Sequence, residues 1–129
     1  MNKRFLAAGC LAALFLLARP AAAQVDTRLV GVWQAQAATP VGPVHSQLIL
    51  QPNGSYTQQT ADANGHMTRA WGTWFTPAAG TLRLGVEGYA PTVYRGTPMA
   101  PPPSELVPYR FLDSNRIQTN TGVIYFRNQ

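Results

Sequence analysis

Cysteine is almost absent: Cys10 is the single one in 129 residues. Lysine is equally scarce, with Lys3 alone, and the histidines are only His45 and His66. Cys10 falls in a leader, discussed below, so residues 24–129 contain no thiol. That excludes disulfides, thiolate metal centres and redox motifs together. The two histidines stand in no His-x-x-x-His or carboxylate-spaced pattern, so no metal ligands are assigned. His66, Met67 and Met99 are the one soft combination that could suit Cu(I), but His66 follows a turn and is expected to be exposed. No serine stands in a nucleophile-elbow context. Asp62, Glu87, Glu105 and Asp113 are the only stock for paired-carboxylate chemistry; Asp62 and Asp113 occupy turns, where aspartate bonds its own backbone, and alternation is expected to turn Glu87 outward. No catalytic residue and no cofactor is assigned, and the chain is not read as an enzyme.

The first 23 residues have the three parts of a secretory signal peptide. Lys3 and Arg4 are the positive start, Phe5 to Ala18 the apolar run, and Ala21-Ala22-Ala23 the small-residue site before Gln24. The run is shorter than the roughly 20 residues that span a bilayer, which disfavours an uncleaved anchor. Leu6-Ala-Ala-Gly-Cys10 superficially resembles a lipoprotein site. The apolar run continues through Leu11 to Ala18, however, so Cys10 is read as lost with the leader. Cleavage after Ala23 implies a periplasmic or secreted protein, comprising 24–129 as one domain and not inserted in a membrane. Losing Lys3, Arg4 and Arg19 lowers the net charge from +5 to about +2. The seven remaining basic residues are arginines spread singly, without the basic stripe that nucleic acid requires.

What remains is rich in turn signals and alternation. Pro52-Asn53-Gly54, Asn64-Gly65, Pro77 to Gly80, Asp113-Ser114-Asn115 and Asn120-Thr121-Gly122 punctuate runs of Val, Ile, Thr, Tyr, Phe and Trp. Leu48 and Leu50 alternate with Gln47, Ile49 and Gln51; Leu82, Leu84 and Val86 alternate with Arg83, Gly85 and Glu87. Such patterns suit antiparallel strands with one buried face. Strands are expected near 30–38, 44–51, 55–62, 66–76, 81–87, 91–95, 107–112 and 116–127, the last split at Gly122, with a helical turn over 25–29. A meander of about eight strands must close or leave two long edges. The expected fold is therefore all-β, a single small antiparallel up-and-down barrel, with a half-open barrel or β-sandwich as alternative.

Gly31-Val32-Trp33 begins the first strand after that turn, and Arg127 follows Tyr125-Phe126 in the last. This resembles the small bacterial lipocalin-like, or calycin-type, barrel domains. The resemblance implies that Trp33 packs at the closed barrel end with Arg127 over its ring, a structural pair that seals the seam. Trp71-Gly-Thr-Trp74 raises a parity question, because residues three apart in a regular strand face opposite ways. A bulge at Gly72 could bring both rings to one side; otherwise one is core and the other lies at the rim.

RGTPMAPPPSE, residues 95–105, places four prolines in eleven residues. It could be a disordered spacer, a polyproline docking motif or a stiff loop crossing the barrel mouth with Met99 turned inward. The bracketing strands and export from the cytoplasm favour the last. Trp71, Trp74, Tyr94 and Met99 are then the candidate ligand-binding residues. Two functions are expected: binding of a small apolar or aromatic molecule at the open barrel end, or, with a filled barrel, binding an envelope protein as inhibitor, immunity factor or accessory subunit.

Overall fold

The computed structural model describes residues 25–128; the expected leader and cleavage site, and Cys10, lie outside the described residues. Asp26 caps a short 3-10 turn, Thr27–Leu29, accepting from the Arg28 N–H at 3.1 Å. Ten strands follow: β1 (Gly31–Thr39), β2 (Gly42–Leu50), β3 (Ser55–Ala61), β4 (Met67–Ala78), β5 (Thr81–Ala90), β6 (Val93–Tyr94), β7 (Thr97–Pro98), β8 (Glu105–Asp113), β9 (Arg116–Thr119) and β10 (Ile124–Asn128). Eight of them close an antiparallel barrel in the cyclic order β1-β2-β3-β4-β5-β8-β9-β10, while β6 and β7 form a separate two-stranded hairpin. The fold is thus a small lipocalin-like barrel with almost no helix.

The number of barrel strands, eight, agrees with the sequence, but which segments supply them does not. The expected barrel strand at 91–95 does not exist. β5 runs on to Ala90, and 93–98 fold into the outlying hairpin. The eighth barrel strand comes instead from the break at Gly122, which separates β9 from β10. Val93 and Tyr94 are exposed, so no apolar alternation recruits them to the wall.

The barrel is closed over only part of its height. β1 pairs with β10 through Val32, Trp33 and Gln34, leaving 35–39 paired to β2 alone. β5 pairs with β8 through Thr81 to Leu84, while its upper half, Gly85 to Ala90, pairs only with β4. The end carrying the 3-10 turn is therefore a complete ring. Towards the other end, β1 to β5 continue as a curved five-stranded trough. Prolines 101–103 run beside the free edge of β5 without a ladder, as they have no N–H to donate. The Val86 N–H is met instead by the Ser104 hydroxyl at 3.1 Å. The proline-rich stretch thus guards a sheet edge.

Candidate functional site

The closed end is built around Trp33. Its ring is fully buried, and Nε1 donates to the Leu29 carbonyl at 2.8 Å. The Arg127 guanidinium lies 4.3 Å from the Trp33 ring. It donates through Nη1 to the Val30 carbonyl at 2.6 Å, through Nε to Ser114 O at 3.3 Å, and through Nη2 to Arg28 O. Gly31 explains the tripeptide: its φ is +144°, and a Cβ there would lie 2.8 Å from Arg127 Nη1. Asp26 adds a second clasp. It pairs with Arg28 at 2.8 Å and accepts from the Tyr109 hydroxyl at 2.8 Å. These bonds, Arg28's foremost, hold the Asp26 carboxyl below its ordinary range, while burial first and then the Asp26 bond push the Tyr109 phenol well up. Leu29, Leu50, Tyr56 and Trp74 fill the space inside.

Above this packed floor the barrel is hollow. A cavity of about 380 Å³ is bounded by Leu48, Leu82, Leu84, Tyr109 and Ile117 from the core, with Gln58, Thr119, Val123 and Tyr125 higher up. It reaches the surface where β5 and β8 part, between Glu105, Leu106 and the β9–β10 turn at Asn120 and Thr121. The size suits a small ligand, with an apolar floor and a polar rim. Gln58 also lines a second hollow of about 230 Å³, with Thr60, Thr68, Ala70, Tyr89 and Met99. There the Met99 N–H donates to Thr92 O at 2.7 Å, and the Tyr89 hydroxyl donates to Met99 O at 3.2 Å. In the trough between β1 and β3, the Ser46 hydroxyl is buried without a partner among the described residues.

The structure separates the four candidate ligand residues. Met99 lines the smaller hollow. Trp74 is core, its Nε1 bonded to Gln51 O at 2.8 Å. Trp71 lies on the outer wall, 37% exposed, with Arg69 5.1 Å from its ring and its own ring against Gly88. Tyr94 lines neither hollow; its ring stacks on His66 at 4.0 Å. The cause of the tryptophan separation is local. A bulge does occur between Trp71 and Gly72, but the extra residue, Glu87, is in β5, since Gly72 opposes Val86 and Trp71 opposes Gly88. The parity of β4 is therefore intact, with Ala70, Gly72 and Trp74 inside and Trp71 outside. His66 differs from expectation too: it is half-buried, and its Nε2 is covered with no hydrogen-bond partner among the described residues.

Sequence reasoning missed most of the cavity wall. The alternation of Leu48, Leu82 and Leu84 was a usable signal; Gln58, Glu105 and Val123 carried none. Among the described residues no group of three His, Cys, Asp or Glu side chains comes together.

The ring of eight antiparallel strands, sealed by an N-terminal tryptophan under a C-terminal arginine, defines a small lipocalin-like barrel. In keeping with that class, the chain is similar in structure to the lipoprotein YedD of Klebsiella pneumoniae, with a TM-score of 0.52 over 83% of this chain and 77% of that one. Identity is 13%, so the likeness is one of fold alone. No protein-family model matches the sequence, and no curated protein matches it.

Proposed function

We propose that this protein is an exported, non-enzymatic barrel that binds a small apolar or aromatic molecule at its open end. The observation that carries this is the hollow of about 380 Å³ over Leu48, Leu82, Leu84 and Ile117. An apolar surface left open to water inside a closed wall gains free energy when a ligand covers it. Met99 and the stiff loop behind it form one side of the adjoining hollow and act as an adaptable wall. The outer face carries Gln34, Gln36 and Arg110, a surface suited to water, which fits a leader cleaved after Ala23 and release from the membrane. Export is also in keeping with the printed description of the similar structure as a lipoprotein.

The test uses a neutral apolar dye, N-phenyl-1-naphthylamine, whose emission rises in apolar surroundings. The wild-type protein brightens it with one site per chain. Leu84→Trp fills the hollow, weakening binding by about tenfold or more while costing under about 1.5 kcal/mol of stability, because the indole has room. A dye that stays dark, or binds Leu84→Trp as well as the wild type, sinks the reading. The second function, binding of an envelope protein, has support in Leu106 and Phe126, which are 60% and 54% exposed on the outer wall. Retained partner capture by Leu84→Trp would favour it.

A further inference from the structure

Among the described residues, Glu105 is the single charged one lining the larger hollow. β8 places it directly opposite Leu84, whose side chain is core, so alternation turns the Glu105 side chain to the same inner face. It stands where the β5–β8 ladder ends and the hollow reaches solvent. Neither ion pair among the described residues involves it. No arginine lines this hollow. Arg28 and Arg127 are spent at the closed end, Arg116 is paired with Asp113, Arg110 is bonded to Gln118, and Arg69 and Arg95 stack on Trp71 and Tyr94. Arg83 stands on β5 between the inward Leu82 and Leu84, so alternation turns it to the outer face and leaves Glu105 as the one formal charge on the described lining. Burial chiefly, then the charge of Glu105 and that of Glu87, push the phenol of the buried Tyr56 up.

Resting on the ligand-binding reading above, we infer that Glu105 sets the charge selectivity of this hollow. It admits amphiphiles with a cationic or neutral head and rejects carboxylates. The apolar chain lies over Leu82 and Ile117, and the head meets Glu105 at the gap between β5 and β8. An ammonium head there forms a charge-assisted hydrogen bond with the carboxylate. A carboxylate head faces like charge with no compensating cation among the lining residues.

Three twelve-carbon compounds differing only in the head test this: dodecylamine, dodecanol and dodecanoate, each displacing the neutral dye at pH 7 below its micelle concentration. The amine displaces dye about three- to five-fold more tightly than the alcohol, the size an exposed ion pair permits, and the carboxylate is the weakest. Glu105→Gln brings the three together, whereas Asp113→Asn, altering a carboxylate paired with Arg116 at the β8–β9 turn away from the hollow, leaves the order unchanged. Equal affinities in the wild type, or an order that survives Glu105→Gln, overturn the selectivity and leave the hollow as a ligand site. If the dye and all three compounds fail to bind, the ligand reading falls and the selectivity with it.

Discussion

The two ends of this barrel are built from the same strands yet solve opposite problems. At the sealed end the polar groups of three residues find protein partners: the Trp33 indole meets Leu29, the Arg127 guanidinium meets three carbonyls, and Asp26 meets Arg28 and Tyr109. At the other end the walls lose their neighbours, the inner face turns from leucine to Gln58, Thr60 and Thr68, and a buried Ser46 hydroxyl is left unpaired. A polar group buried without a partner costs about 1–3 kcal/mol. Packing and polar pairing are concentrated in the ring, which leaves the trough hollow and only partly satisfied.

The largest effect should come from breaking the sealed end. Trp33→Ala removes a fully buried indole and leaves Arg127 without its stacking surface, a loss of about 3–5 kcal/mol. Urea unfolding reads that loss, while the affinity of the surviving folded fraction for the neutral dye changes by less than about twofold, because Trp33 does not line the hollow. A parallel loss of affinity would show that the two ends are not separable.

A smaller effect tests the clasp between Asp26 and Tyr109. The Asp26 carboxyl is held below its ordinary range, so its contribution is complete above the unfolded carboxylate value. It is lost as the pH falls through the lower folded one. Tyr109→Phe should cost about 1–2 kcal/mol at neutral pH, and the gap from wild type should narrow in acid. Thermal melts from pH 7 to pH 2.5 measure both; a gap that is constant with pH would remove Asp26 from the account.

The smallest effect lies on the outer wall. Gly88→Ala drives a methyl into the Trp71 ring, which must swing towards solvent. Stability should shift by under about 0.5 kcal/mol. Acrylamide quenching should rise for one tryptophan of the three and leave the buried Trp33 and Trp74 unaffected.

These regions also differ in how far they could be read beforehand. The sealed end was legible through the resemblance: Gly31-Val32-Trp33 on the first strand and Arg127 on the last match the pair by which lipocalin-like barrels close one end. The register Trp33 opposite Arg127 then follows from closure. The cavity floor was legible in part, since Leu82 and Leu84 alternate on one face. The placement of Trp71 and Trp74 was not, because the residue that settles it, Glu87, is inserted in the neighbouring strand. Glu105 stayed hidden for a related reason: its role depends on where the β5–β8 ladder stops, a long-range fact that no window of sequence contains. Tyr94 was placed at the mouth from its position in the chain, but a two-residue hairpin carries it onto His66.

The stacking of Arg127 on Trp33 also bears on the order in which the barrel assembles. Arg127 reaches back 97 residues to the Val30 carbonyl, and β10 follows every other strand of the ring. Contacts that distant form late and slowly. A chain delivered from its N-terminus can assemble the β1–β5 meander early but cannot shut the ring until β10 emerges. The residue that seals the barrel is thus also the last to reach it: until Arg127 arrives, the ring beside Trp33 stays open.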